Sequence, residues 1–320
     1  MTVTPDAFLP GPVWWPTAAT PGPARSAVRA LAPAGYGRVV LLDDLDRVPW
    51  AELRHAYGPA DDVPGLLRRV AGPDEEDAVH ALYELRASVL HQGNVCSATA
   101  PVVPFLGALL ADPATTFPDG IAHLLGDMAD IVDPDDPVLA ALRAAVTAEV
   151  DRLLPLLAAP EQWTRLAAGY ALGNCPGRAD DILPALYHRW AVETDPQVRG
   201  GLVISAAALD PETALLAEAL VGGQPAPVRA AAALAAARRA GPWPGTPAVE
   251  AVRAGWADGD PWFDRTPVED GYAVGPYLWN WDPIEDLLDR LGPADRPAVV
   301  TALLGSADPA VRAKAAEYAG

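Results

Sequence analysis

Apolar residues recur at intervals of three and four along most of this chain. Val79, Leu82, Leu85 and Val89 form one such series, the spacing that buries one face of a helix. It predicts a helix over 73–91, whose first turn is acidic (Asp74, Glu75, Glu76, Asp77), matching the helix dipole. Similar runs predict helices over 49–57, 62–70, 99–111 and 119–131. A Pro/Asp loop, Asp133-Pro134-Asp135-Asp136-Pro137, precedes a long helical segment to Leu157. Further helices are expected over 160–173, 180–192, 196–209, 211–221, 228–240, 247–256, 283–291, 296–304 and 309–319. The rhythm fails at both ends of this series. Met1–Pro23 is rich in Pro, Thr and Ala around Trp14-Trp15 and reads as an extended arm. Residues 258–281 hold Trp262, Phe263, Tyr272, Tyr277, Trp279 and Trp281 among Gly and Pro, too long a stretch for an ordinary helix connection.

Several helices open on one phrase. It reads Asp195-Pro196-Gln197-Val198-Arg199, Pro225-Ala226-Pro227-Val228-Arg229 and Asp308-Pro309-Ala310-Val311-Arg312, with a degenerate copy at Pro160-Glu161-Gln162-Trp163-Thr164-Arg165. An Ala- and Leu-rich run follows each copy. Recurrence at roughly 30 to 40 residues is the mark of stacked helix pairs. The chain therefore divides into a Pro-rich arm (1–44) and an all-α, right-handed solenoid of about six or seven helix pairs (45–320), with a Trp-rich insertion at 258–282. The 35 prolines fit such an array if they sit at helix starts and in loops.

The phrase and its Ala-rich continuation resemble the HEAT repeat, in the short bacterial form also seen in bilin-lyase-type HEAT-like proteins; the likeness spans residues 45–320. Trp50-Ala-Glu-Leu-Arg-His55-Ala-Tyr-Gly58, Asp62-Val-Pro-Gly-Leu-Leu67, His91-Gln92-Gly93 and Thr99-Ala-Pro-Val-Val-Pro-Phe-Leu106 are similar to a group of actinobacterial HEAT-repeat proteins, most of them without an assigned activity. The resemblance implies a helical array. Its members include scaffolds, lyases, glycosylases and inhibitors, so it does not choose among functions.

Charge narrows the choice. The formal net charge is −19, and Lys314 is the only lysine. No basic stripe exists to displace counterions from phosphates, which disfavours nucleic acid and anionic membranes. A surface this acidic suits a basic partner, or simply keeps an Ala-rich chain soluble. Cys96 and Cys175 have no metal-ligand or disulfide-framework spacing. The N-terminus shows no signal-peptide pattern, and no apolar run reaches the ~18 residues of a membrane span. A cytoplasmic protein without cofactor or metal is expected.

Three groups carry candidate chemistry. His91, Gln92 and Asn94 surround Gly93 at an expected helix end; they suit either a ligand or a tie to the neighbouring repeat. Trp262, Asp264, Trp279, Asn280, Trp281 and Asp282 alternate aromatic rings with carboxylates and an amide. That mixture suits a cationic guest or an interface hot spot. The tryptophans equally suit folding the stretch over an apolar ridge, and Asp282 suits a helix cap before Pro283. Asp43-Asp44-Leu45-Asp46 is a weak Mg²⁺ candidate because no phosphate-binding partner accompanies it. No phosphate loop, zinc-protease or nucleophile-elbow motif is present. The expected function is a non-catalytic interaction protein, scaffold or inhibitor, that binds a basic polypeptide in or beside a groove. The alternative is an enzyme or small-molecule binder with a groove pocket, possibly of secondary metabolism.

Overall fold

The computed structural model describes residues 44–131, 136–239, 241–261 and 282–319. Its described residues are mostly helical, with fifteen α-helices and two minute hairpins. The helices are α1 (Val63–Val70), α2 (Glu75–Val89), α3 (Thr99–Leu110), α4 (Pro118–Asp130), α5 (Pro137–Ala148), α6 (Val150–Leu153), α7 (Gln162–Gly173) and α8 (Ala179–Val192). They continue with α9 (Pro196–Leu209), α10 (Ala214–Leu220), α11 (Ala226–Arg238), α12 (Thr246–Gly255), α13 (Pro283–Arg290), α14 (Arg296–Leu304) and α15 (Pro309–Ala316).

Contacts between helices follow chain order. α4 packs on α7, α7 on α9, α9 on α11, α11 on α13 and α13 on α15. The intervening helices pack against this row, α1 on α2, α3 on α4, α8 on α9, α10 on α11 and α14 on α15. Close approach depends on small residues. A Cβ on Gly173 would fall 2.8 Å from the Ser205 backbone, and one on Gly255 would fall 2.7 Å from the Ala230 amide. α11 is correspondingly buried from Pro227 to Ala236, where its Ala-rich sequence leaves room for helices on both sides.

Helix starts obey local chemistry. Asp136, Asp195, Asp282 and Asp308 each precede Pro and accept backbone N–H groups of the first turn, which removes orphan donors. Asp74 does the same through the Asp77 amide. The arginine of the recurring phrase then reaches back to the end of the preceding segment. Arg165 donates to the carbonyls of Ala159 (2.9 Å) and Pro160 (2.7 Å), and Arg199 to those of Trp190 (3.1 Å) and Glu193 (3.2 Å). Arg229 donates to Leu220 O, and Arg312 to Ser306 O and Ala307 O at 2.7 Å each. The valine beside each arginine is buried (Val198, Val228, Val311), and Thr164 takes that place in the degenerate copy.

The structure departs from the sequence reading in four places. Residues 49–57 are not a helix: a 3₁₀ turn at Trp50–Glu52 leads into β1 (Arg54–His55), which pairs with β2 (Gly58–Pro59). Buried Trp50 donates its indole N–H to Leu45 O, and Ala56 N–H bonds Ser88 O rather than a helical carbonyl. The helix over 73–91 stops at Val89 because β3 (Leu90–His91) turns back on β4 (Asn94–Val95). Gln92 (φ 51°) and Gly93 (φ 78°) form the turn, a left-handed pair suited to a two-residue hairpin. The segment from 137 to 157 is broken into α5, α6 and a 3₁₀ turn at Leu154–Ala158 that contains Pro155. Prolines are not confined to helix starts: Pro104 and Pro184 lie inside α3 and α8, on exposed positions where the missing N–H faces water.

Arg199→Ala is expected to lower unfolding free energy by about 2 kcal/mol in urea, through loss of charge-assisted bonds to two carbonyls. Its guanidinium also lies 3.6 Å from the Trp190 ring centre. Arg253→Ala, whose partner Glu250 is half exposed at 3.5 Å, is expected to stay within about 0.5 kcal/mol of the parent.

Candidate functional site

α4 is buried along its whole length from Asp119 to Ala129. It nevertheless carries Asp119, His123 and Asp127, each four residues after the last, on one face. A buried polar stripe must find partners, and neighbouring helices supply them. Arg86 of α2 places Nη1 2.5 Å from Asp127 Oδ2. His123 Nε2 lies 3.4 Å from Asp127 Oδ1, and the Tyr170 hydroxyl of α7 donates to that same oxygen at 3.4 Å. The rings of His123 and Tyr170 are 5.5 Å apart. Gly126 makes this possible, because a Cβ there would fall 2.3 Å from the Tyr170 ring. Arg143 of α5 closes the end of α4 by donating to Ala129 O at 3.3 and 3.1 Å.

Burial dominates the electrostatics. It pushes the Asp127 carboxyl up to about 7, against the opposing pull of Arg86 and Tyr170. Burial, helped by the Arg86 charge, pushes His123 down to about 3. Tyr170 is raised by burial and then by Asp127 and Asp130. Asp130 is exposed to solvent yet crowded by protein; desolvation raises it, while Arg238 of α11 is the foremost group lowering it.

The Arg238 charge, from the end of α11, lowers Asp130 and Tyr170. Arg238 Nε also lies 3.3 Å from Asp286 of α13, whose other oxygen holds Arg290 at 2.6 Å.

The residues chosen from sequence lie elsewhere. His91, Gln92 and Asn94 sit on the β3–β4 hairpin, which follows directly on the end of α2. His91 Nδ1 bonds the hydroxyl of exposed Tyr57 (3.1 Å), and Asn94 donates to His91 O (3.0 Å). Asp282 caps α13 through Ile284 N–H and Glu285 N–H (2.9 and 3.2 Å) and faces Lys314 at 3.5 Å. Trp262, Asp264, Trp279, Asn280 and Trp281 lie outside the described residues, as does Asp43. Asp44 and Asp46 are paired with Arg47 and Arg68, both at 2.7 Å. Burial pushes Cys175 up to about 11, which leaves it a poor nucleophile. Among the described residues, no three His, Cys, Asp or Glu side chains gather as a metal site, and no helix is long and apolar enough to cross a membrane.

Sequence reasoning missed Arg86, His123, Asp127, Asp130, Tyr170 and Arg238. One signal was available: Asp119, His123 and Asp127 recur at helical spacing in an otherwise apolar and small-residue helix. Compared with known proteins, the chain matches no family model, no curated protein and no solved structure. The description of the chain therefore rests at a helical protein with a polar, inward-facing cluster.

His123 is expected to stay neutral on mild acidification, with ring NMR signals that do not move between pH 8 and pH 5; a midpoint inside that range would refute the burial argument. Its depressed value takes stability away as pH falls from 6.5 toward 3, because only the unfolded chain gains the proton. The raised Asp127 acts oppositely, taking stability away as pH rises from 3.8 toward about 7. Gly126→Ala is expected to displace Tyr170 and cost about 1–3 kcal/mol in urea unfolding.

Proposed function

We propose that the chain is a right-handed, HEAT-like α-solenoid that binds a basic polypeptide along the concave side of its second helix row. Seven pairs make up the array in this reading: α1/α2, α3/α4, α5–α6/α7, α8/α9, α10/α11, α12/α13 and α14/α15. The observation that supports it is the order of packing, in which α4, α7, α9, α11, α13 and α15 follow one another in a single row flanked by the intervening helices. Stacked rows of this kind line an extended groove, the surface such arrays use to hold another chain. The net charge of −19 supports a basic occupant, since opposite potentials steer encounter and exclude wrong partners. The tryptophans and carboxylates of 262–282 supply the anchor, and the role is that of a cytoplasmic scaffold or inhibitor.

One observation favours a second reading, an enzyme or small-molecule binder. Asp127 is a buried carboxyl raised to about 7 beside Arg86 and Tyr170, and groups tuned toward neutral pH gather at reactive sites.

An arginine-rich peptide is expected to bind the purified chain, with affinity that falls as salt rises. Trp279→Ala and Trp281→Ala are each expected to weaken it by about tenfold or more, as loss of an aromatic anchor does. Calorimetry that detects no basic polypeptide at low salt would refute the first reading. Binding of a small molecule abolished by Asp127→Asn would favour the second.

A further inference from the structure

A cavity of about 280 Å³ opens where α12 and α14 start side by side. Trp243, Val249, Ala294 and Ala298 give it apolar walls, Thr246 adds a hydroxyl, and Asp295 is the one charged residue lining it. The Asp295 side chain does not cap α14, and among the described residues no cation pairs with it. Arg296, the next residue, directs its guanidinium to Leu288 O and Leu291 O instead. Trp243 is half-buried and packs against the two apolar cores that meet at α11, so its ring is a fixed wall. We propose that this cavity is a socket for an arginine side chain of another polypeptide, whose guanidinium lies between the Trp243 indole and the Asp295 carboxylate.

The volume falls just below the roughly 300–1,000 Å³ of ordinary small-molecule sites, and it suits one long side chain. A carboxylate beside an indole suits a cation. Helix starts favour anions instead, and two of them meet here, but few of their donors are open. Pro247 and Pro297 bring no N–H, the Ala248 and Val249 amides bond Gly245 O, and the Arg296 amide bonds Gly292 O. An anion would therefore meet little but the repelling Asp295. Arginine fits better than lysine: its planar, weakly hydrated group stacks on aromatic rings and can meet a carboxylate through two N–H groups at once. Its methylene stem can rest on Val249, Ala294 and Ala298. A side chain fits better than free arginine, because no cationic residue lines the cavity to meet an α-carboxylate. The socket does not depend on the groove reading, since α12 and α14 lie outside the row from α4 to α15 that carries it.

The test is NMR of the full chain labelled with ¹⁵N at tryptophan. Trp243→Phe, or a nuclear Overhauser contact to Val249, assigns the Trp243 indole signal. The blocked tripeptide acetyl-Ala-Arg-Ala-amide is expected to move that signal saturably at millimolar concentration. The same peptide with citrulline, which keeps the shape and loses the charge, is expected to leave it in place, and the lysine peptide to bind more weakly than arginine. Asp295→Asn, which removes a charge but no helix cap, is expected to weaken the arginine peptide by about tenfold, as loss of a charge-assisted bond does. Trp279→Ala and Trp281→Ala are expected to leave this titration unchanged, which separates the socket from the groove. The proposal is overturned if the signal ignores the arginine peptide, if citrulline or lysine serves as well, or if Asp295→Asn binds like the parent. Loss of the response in Trp279→Ala or Trp281→Ala would assign it to the groove and overturn the socket. A response to inorganic phosphate alone would make the cavity an anion site, and tighter binding of free arginine would make it an amino-acid site; either result overturns the proposal. The parent titrations with the arginine and citrulline peptides decide the question even if a variant fails to fold.

Discussion

The helices are joined by arginine side chains that satisfy the carbonyls their neighbours leave open. A helix ends with unpaired C=O groups and partial negative charge. In a stack of short helices these ends recur often and are partly buried, so each needs a donor that reaches from the next element. Arg165, Arg199, Arg229 and Arg312 occupy one position in α7, α9, α11 and α15 and make that reach. Arg296 does so for α13, through Leu288 O and Leu291 O. The planar, multi-donor guanidinium allows one side chain to serve two carbonyls. In the 160–200 segment the device is doubled, because Arg165 also holds buried Glu193 at 2.8 and 3.2 Å. Burial pushes that carboxyl up, but Arg165, the Asp195 amide and Arg189 outweigh burial and leave it lowered.

Departures from this device mark where the array changes character. In α13 the residue in the arginine register is Asp286, counted from Asp282-Pro283. It is buried, and it pairs with Arg238 and Arg290 instead of a carbonyl. α4 also lacks the arginine. Its polar side chains face its neighbours; Arg86 and Tyr170 come from other helices to meet Asp127, while Arg143 donates to the Ala129 carbonyl. Polar chemistry thus collects where the generic cap is missing.

Packing explains why the cluster stays fixed. Gly126 lets the Tyr170 ring lie against α4, and Gly173 lets α7 approach α9 at Ser205. Interiors are close-packed, so removing these side chains sets helix spacing as firmly as adding large ones would. The Asp127 carboxyl is held between Arg86, His123 and Tyr170 by that spacing, and its raised affinity for a proton follows from dryness rather than from any single neighbour.

Much of the fold was legible in the sequence because it rests on local rules. Asp-Pro helix starts, three-and-four apolar spacing and Ala-rich runs predicted most helices, and Asp195, Asp282 and Asp308 act as the caps that position suggests. The errors at 49–57 and 90–95 arose where non-local bonds overrode helical pattern: Ala56 N–H to Ser88 O, and Ala98 N–H to Arg54 O. The site was far less legible. Asp119, His123 and Asp127 show helical spacing, but spacing cannot say that all sides of α4 are covered. Nor can it say that Arg86 and Tyr170, drawn from two other helices, meet the Asp127 carboxyl. Sequence by itself determined where helices begin and which faces are apolar, since backbone capping and periodicity act within a few residues. Only the tertiary structure decided which charges share a dry space, because burial is a property of many helices packed at once.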